Sequence, residues 1–258
     1  MNLRHWLGRL TLRILLLLMS FTFASAPVIA ADIQKSERFL HLNGQIVRGD
    51  YDKIRKLLLS ENGYFLGYNW QLNSVGGDVY EALAIGRMFK ELFITVNVAD
   101  ADNPRAKCAS ACFLIFVSAV ARNAVSHSVG VHRPFFEPTY FAGMNAQNAQ
   151  RRYAAMTEEV RAYLKENDVP EALITRMFST PSTEILWLSD NEMEQLGGKS
   201  AWYDQYIISI CGFSDRMFHQ AVQRGRIEQA KKWAMCEADI ALEAAERNLE
   251  KFKQAVPR

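Results

Sequence analysis

Residues 108–118 read Cys-Ala-Ser-Ala-Cys-Phe-Leu-Ile-Phe-Val-Ser. From Ala109 to Ser118 it is almost wholly apolar, which predicts a helix buried on every side. Ser110 stands at the start of that helix, where free N–H groups and the helix dipole favour developing negative charge. Ser110 is therefore either a simple helix cap, a common role for serine, or a nucleophile between two small residues.

The segments around this stretch alternate between strand patterns and helix patterns. Short apolar or β-branched runs predict strands at 39–46, 64–73, 94–98 and 129–131, and apolar residues at helical spacing predict helices at 50–59 and 78–93. Residues 74–77, Ser-Val-Gly-Gly, are predicted to break the second strand, and residues 99–107 form a polar loop. Strands that alternate with helices imply right-handed crossovers around a mostly parallel sheet, so the fold class is α/β.

The second half of the chain is predicted to be mainly helical. Its predicted elements are helices at 145–166 and 170–178, a short strand at 185–188, a helix opened by a capping box, a final strand at 201–206, and helices across 211–254. The capping box consists of Ser189 and Glu192. Gly225 interrupts the last helical region, which predicts a helical hairpin there.

Five short motifs resemble, in order, those of the Clp peptidase and crotonase superfamily, and more closely its exported, stand-alone branch. They are Leu42-Asn43-Gly44-Gln45-Ile46, Asn73-Ser74-Val75-Gly76-Gly77, Cys108-Ala109-Ser110-Ala111-Cys112, Val131-His132-Arg133-Pro134, and Leu188-Ser189 with Glu192 and Gly197. The second motif departs from the family pattern, because Val75 stands where the family has proline. The resemblance covers residues 39 to 206 and implies a ClpP/crotonase-type spiral of ββα units with a C-terminal helical extension.

The resemblance also implies a catalytic site. Ser110 would be the nucleophile and His132 its general base, because a serine attacks a carbonyl only when a base takes its proton. The backbone N–H groups of Gly76 and Ala111 would stabilise the oxyanion. The alternatives are a structural histidine at a strand end and, as a weaker base, His127.

The third member of a catalytic triad is harder to place. The position that carries aspartate in the family falls at Ile185, which cannot orient a histidine, and the neighbouring Glu184 is the best substitute. Ser182 and Thr183 are weaker candidates. A serine–lysine dyad is a further alternative, with Lys107 as the base, although Lys107 is expected to point away from Ser110.

The N-terminus has the pattern of a secretory signal. Arg4, Arg9 and Arg13 form a basic region ahead of the apolar run 14–23, and small residues follow, which predicts cleavage near Ala30 or Ala31. An uncleaved membrane anchor is the alternative. Without the three arginines the formal net charge falls from +2 to −1, so electrostatics give no reason to expect nucleic-acid binding.

Four cysteines allow three pairings, and an exported protein commonly forms disulfides. Cys211 and Cys236 are predicted to pair across the helical hairpin. Cys108 and Cys112 are left open between a disulfide that braces the turn at Ser110 and two buried thiols. Their spacing is not a standard zinc pattern, so no metal site is predicted.

The sequence thus predicts a signal peptide at 1–31, a ClpP/crotonase-like domain at 32–206 and a helical hairpin at 207–258. The leading hypothesis is a periplasmic or secreted serine peptidase or hydrolase that forms an acyl-enzyme on Ser110. The second is a catalytically inactive binding or scaffold protein, and an acyl-CoA enzyme is a weaker third. We expect no cofactor and no ATPase partner. A peptide or protein substrate and a homo-oligomer are both compatible with the resemblance.

Overall fold

The central strand of the fold is the one that ends in the Gly76-Gly77 pair. The computed structural model describes residues 30–36, 39–60, 69–101, 103–136 and 138–254. The predicted signal segment lies outside these residues except for Ala30 and Ala31, and so does the first part of the strand predicted at 64–73. Within the described ranges the chain has a mixed α/β fold around a mostly parallel sheet, as predicted.

Nine strands form this sheet within the described residues. Their bounds are β1 Asp32–Lys35, β2 Phe39–Ile46, β3 Asn69–Gly77, β4 Thr95–Val98, β5 Cys108–Ala109, β6 Ala121–Ala124, β7 Val129–Val131, β8 Leu186–Trp187 and β9 Gly198–Lys199. The main order is β8-β7-β5-β3-β4-β6-β9, and β2 lies against both β1 and β3. The pairings of β1, β8 and β9 are antiparallel, and the others are parallel.

Strand β3 joins two branches of the sheet. Its first half pairs with β4 through Trp70 and Gln71, whereas Ser74 pairs with β5. On its other side β3 runs beside β2 as far as the Ile46–Gly77 pair. The carboxyl end of β3 therefore lies next to the end of β5, after which the chain reaches Ser110.

Nine α-helices flank the sheet in the described part of the chain. Their bounds are α1 Asp50–Ser60, α2 Val79–Glu91, α3 Cys112–Ser118, α4 Ala146–Glu166, α5 Glu171–Ser179, α6 Asp190–Leu196, α7 Ala201–Cys211, α8 Asp215–Gln223 and α9 Ile227–Gln254. Side-chain caps explain several of their starts. The Asp78 carboxylate accepts the Glu81 N–H at the start of α2, and the predicted capping box of Ser189 and Glu192 opens α6.

Helix α3 confirms the buried helix predicted after Ser110 but begins later than expected. All seven of its residues are buried. Cys108 and Ala109 form strand β5 instead of the first helical turn, because their backbones pair with Ser74 on one side and with β7 on the other. Strand pairing thus displaces the start of the helix to Cys112.

Two further predictions of secondary structure are wrong. Residues 201–206, predicted as a strand, belong to helix α7, and Tyr203 and Ile207 are buried at the i, i+4 spacing of a helix face. The predicted break at residues 74–77 is also absent, since β3 continues to Gly77 through its pairing with β2. Tyr206, the last residue of the first predicted domain, lies inside α7.

The C-terminal helices pack on the rest of the fold. Gly225, at φ 69°, lies in the short connection between α8 and α9. The sulfur atoms of Cys211 and Cys236 are 2.05 Å apart, at the disulfide distance predicted for them. The Asn248 side-chain amide donates to the Glu91 carbonyl at 2.6 Å, which joins α9 to the end of α2. In the described ranges no helix is long and apolar enough to cross a bilayer.

Candidate active site

A cavity of about 510 Å³ opens beside the carboxyl ends of β2 and β3. Ser110, His132 and Gly76 all line it. These three come from separate segments of the chain, and the pairings of β3, β5 and β7 bring the segments together. The fold therefore places the predicted nucleophile, the predicted base and one predicted oxyanion donor around one space.

Ser110 occupies an unusual backbone conformation between β5 and α3. Its φ is 56°, in the left-handed region that residues with a side chain seldom adopt. Two hydrogen bonds hold the turn: the Ser110 N–H donates to the Gly130 carbonyl at 2.9 Å, and the Phe113 N–H donates to the Ser110 carbonyl at 3.0 Å. Such backbone outliers cluster at functional sites, because the surroundings must hold them in place.

Gly76 packs directly on this turn. Its φ is 97°, and a Cβ atom at this position would meet Ser110 Cβ, the Ala109 carbonyl oxygen and the Ala111 nitrogen, all within 3 Å. Only glycine allows the two backbone segments to approach so closely. In this structure the Gly76 N–H donates to the Ser74 hydroxyl at 3.1 Å. Within the described part of the chain, the Ala111 N–H has no hydrogen-bond acceptor.

His132 is nearly fully buried, at 5% exposure. Its Nδ1 lies 2.8 Å from the Arg133 carbonyl oxygen. A carbonyl only accepts hydrogen bonds, so Nδ1 carries the proton and donates it. In the neutral imidazole with this tautomer, Nε2 is the nitrogen that can accept a proton, as a general base requires.

Ser110 and His132 share the cavity without a hydrogen bond between their side chains among the described residues. Catalytic hydrogen bonds in unliganded enzymes are often long and tighten only with substrate. The geometry therefore places the two groups around one space without a hydrogen bond between them.

The structure does not bring Glu184 to His132. Glu184 is exposed and does not line the cavity, and its N–H donates to the Pro181 carbonyl at 3.0 Å. Thr183 is also exposed, whereas Ser182 does line the cavity. The group that contacts Nδ1 of His132 is the Arg133 carbonyl. Sequence reasoning missed it, because every residue carries a backbone carbonyl.

The two alternative bases lie away from the cavity lining. The Lys107 ammonium donates to the His127 carbonyl at 2.6 Å and sits 5.0 Å from the centre of the Trp187 ring. The His127 N–H donates to the Leu188 carbonyl at 2.8 Å. Both residues hold the loop ahead of β7, and neither lines the space beside Ser110.

Cys108 and Cys112 lie on the two sides of Ser110, and their sulfur atoms are at disulfide distance. The S–S separation is 2.10 Å and the Cα atoms are 5.2 Å apart. The sequence left this pair open between a bond and two thiols, and the structure has the bond. Both residues are fully buried.

Aromatic side chains form a wall of the cavity that the sequence motifs did not predict. Phe136 stacks on Tyr140 with ring centres 4.1 Å apart, and Tyr80 lies 6.3 Å from Phe136. Burial raises the pKa of the Tyr80 hydroxyl, and the nearby Glu159 carboxylate adds to the effect. The Phe135-Phe136 pair shortly after His132 is the sequence signal that could have indicated this wall.

In the described part of the chain, no three His, Cys, Asp or Glu side chains are grouped so that they could hold a metal ion. No protein-family model and no curated protein matches the chain. Among solved structures, the chain is similar to a single-residue mutant of ClpP1 from Listeria monocytogenes. The two share 21% sequence identity, the match covers 62% of this chain and 87% of that chain, and the TM-score is 0.46.

Proposed function

We propose that this protein is an exported serine peptidase or hydrolase that acts through an acyl-enzyme on Ser110. The observation that carries the proposal is the shared cavity, in which Ser110, His132 and Gly76 meet from three separate segments. The left-handed backbone of Ser110 adds support, because backbone conformations of this kind cluster at functional sites.

The chemistry would begin with proton transfer. His132 Nε2 takes the proton of the Ser110 hydroxyl as the oxygen attacks a substrate carbonyl, whose π electrons move onto its oxygen. The N–H groups of Ala111 and Gly76 stabilise that oxyanion, and the Gly76 N–H exchanges the Ser74 hydroxyl for it. His132 then protonates the leaving group. A water molecule, deprotonated by His132, hydrolyses the ester and restores Ser110.

The Arg133 carbonyl takes the orienting role that the sequence assigned to Glu184. It holds the Nδ1 proton of His132 and so fixes the tautomer and the ring orientation. A neutral carbonyl stabilises the imidazolium less than a carboxylate does, since the interaction lacks full opposite charge. We therefore expect slow turnover compared with enzymes that carry a complete triad.

The wider setting of the proposal follows the sequence resemblance. The catalytic domain would have the ClpP/crotonase-type spiral over residues 32–206, with a helical extension at 207–258, no cofactor and no ATPase partner. Peptides or proteins would be the substrates, and a homo-oligomer would be detected by light scattering after size-exclusion chromatography.

Export would remove the signal segment near Ala30 or Ala31. Ala30 bridges to Gln45, and Ala31 is buried at 5% exposure, so cleavage after Ala30 would leave a first residue that already packs in the core. The two cysteine pairs at disulfide distance fit an exported protein. Mass measurement of the protein isolated from a bacterial periplasm would locate the cleavage site.

Labelling with a fluorophosphonate tests the catalytic proposal. The purified mature protein should be labelled at Ser110. Neither Ser110→Ala nor His132→Gln should be labelled, although both variants should have the same unfolding temperature as wild type. If wild type stays unlabelled under conditions that label a known serine hydrolase, the proposal is wrong.

A non-catalytic binding or scaffold protein is the second candidate. Two observations favour it: within the described residues Ser110 and His132 are not hydrogen-bonded to each other, and the Gly76 N–H is already occupied by Ser74. This alternative predicts that Ser110→Ala changes neither a cellular phenotype nor any partner contact, whereas the catalytic proposal predicts loss of the phenotype.

A further inference from the structure

The Cys108–Cys112 disulfide spans the turn that contains Ser110. The following inference about this disulfide rests on the proposed function. We infer that this disulfide is a positioning element for the nucleophile, which keeps Ser110 in its left-handed conformation and in register with the oxyanion donors. It touches no substrate and acts through the backbone of residues 109–111.

The first anchor of the turn is rigid. Cys108 pairs with Ser74 of β3 and with Val129 of β7, and its N–H donates to the Ser128 carbonyl at 2.8 Å. It is therefore fixed in the middle of a sheet branch. The disulfide therefore links Cys112 covalently to the sheet.

The second anchor is the first residue of α3. Cys112 is fully buried, and the helix that follows is buried throughout, so the helix and the strand are both held by the core. Three residues connect them, and the disulfide fixes their ends at a Cα separation of 5.2 Å. A closed loop this short leaves the residue at its centre few backbone conformations.

That restriction favours the left-handed conformation of Ser110. A residue with a side chain disfavours the left-handed region, and the two backbone hydrogen bonds at Ser110 would have to hold the turn without the disulfide. The same turn packs on Gly76, where an added Cβ would lie 2.6 Å from Ser110 Cβ. Relaxation of the turn would therefore displace the serine and the Gly76 donor together.

The second disulfide provides a matched control. Cys211 and Cys236 join α7 to α9, and neither residue lines the cavity beside Ser110. Loss of that bond removes a cross-link from the same protein without touching the turn. If Cys108–Cys112 only stabilises the fold, folded variants that lack either disulfide should be labelled at the same rate.

The experiment measures fluorophosphonate labelling of the full mature chain as two constants, the maximal rate of inactivation and the probe concentration for half of that rate. In Cys108→Ala/Cys112→Ala we expect the maximal rate to fall ~10–100-fold, because small misplacement of a reacting group has effects of this size. The half-saturating concentration should stay within about twofold, because the cavity walls are unchanged. Cys211→Ala/Cys236→Ala should match wild type in both constants.

Equal maximal rates in wild type and in the folded Cys108→Ala/Cys112→Ala variant would overturn the inference while leaving the proposed function intact. Absence of labelling in wild type would overturn both. If Cys108→Ala/Cys112→Ala does not fold, the Cys211→Ala/Cys236→Ala protein is reduced with a phosphine below its unfolding temperature. Labelling should then slow, and reoxidation should restore it. An unchanged rate in protein shown by thiol counting to carry two free thiols would again overturn the inference.

Discussion

A Cβ atom on residue 76 would lie 2.6 Å from the Cβ atom of Ser110. This distance is shorter than any relaxed contact between two carbon atoms, and the remaining neighbours are backbone atoms of Ala109 and Ala111, which cannot rotate away. Gly76→Ala should therefore move the turn of Ser110 or the donor at residue 76. We expect the rate of fluorophosphonate labelling to fall about 100-fold or more, as when an oxyanion donor is lost.

Gly49→Ala is the control for this change. Gly49 has the same φ of +97°, but an added Cβ would have nothing within 4 Å. Both variants bear the backbone cost of a left-handed alanine, roughly 1–2 kcal/mol, measured as the free energy of unfolding in urea. Only Gly76→Ala should lose fluorophosphonate labelling. An equal loss of labelling in both variants would show that the lower stability, and not the contact with Ser110, causes the effect.

Glu184→Gln tests which group orients His132. Because the Arg133 carbonyl contacts Nδ1 and Glu184 is exposed away from the cavity, the labelling rate of Glu184→Gln should stay within about twofold of wild type. His132→Gln, measured beside it, should abolish labelling. A fall of ~100-fold or more in Glu184→Gln would return the orienting role to the carboxylate.

The aromatic wall predicts a preference for apolar groups. Phe136 and Tyr140 stack face to face in the cavity that Ser110 also lines, and transfer of an alkyl or aromatic group onto such a surface is favourable. A fluorophosphonate with a long alkyl chain should label faster than one with a short polar chain. Phe136→Ala should reduce that ratio about tenfold, whereas Phe136→Leu should retain most of it. An unchanged ratio in Phe136→Ala would exclude the wall from substrate binding.

A partly buried ionic cluster predicts loss of stability at high pH. The Lys199 ammonium donates to Asp215 at 2.6 Å and to Glu237 at 2.8 Å. Burial opposes its charge, but the hydrogen bonds and negative charges of the two carboxylates together outweigh burial and raise its pKa. Burial also raises the pKa of the Tyr203 hydroxyl, and the Glu237 carboxylate adds to that shift.

Both pKa values are higher in the folded than in the unfolded chain, so the stabilisation is complete below about pH 10 and is lost as the pH rises further. The free energy of unfolding in urea should therefore fall as the pH rises above about 10. Lys199→Met/Tyr203→Phe should flatten that decline, and Lys231→Met, at an exposed lysine of the same region, should not. An equally steep decline in the first variant would contradict the role of the cluster.

The sequence predicts well wherever a local pattern and the fold agree. Helix α2 follows from its apolar spacing and its Asp78 cap, and the start of α6 follows from Ser189 and Glu192. The alternation of strands and helices was enough for the mostly parallel sheet. The motif order was enough to select two distant residues, Ser110 and His132, that line one cavity.

The errors have physical causes. Residues 201–206 are apolar on several sides, and a short apolar run does not distinguish a strand from a buried helix. Strand β5 has two residues, and its conformation depends on partners far away in the sequence. The contact between His132 and the Arg133 carbonyl involves a backbone atom, which leaves no mark in the sequence.

The two disulfides also bear on how the chain matures. They join cysteines 4 and 25 residues apart, whereas either alternative pairing would close loops of roughly a hundred residues. Since the entropy lost on closing a loop grows with its length, the native bonds are the ones that an unfolded chain forms most readily. The two cysteines on either side of Ser110 can pair before the sheet assembles. Oxidation would then prepare the turn for folding, and the chain would need little help from a disulfide isomerase.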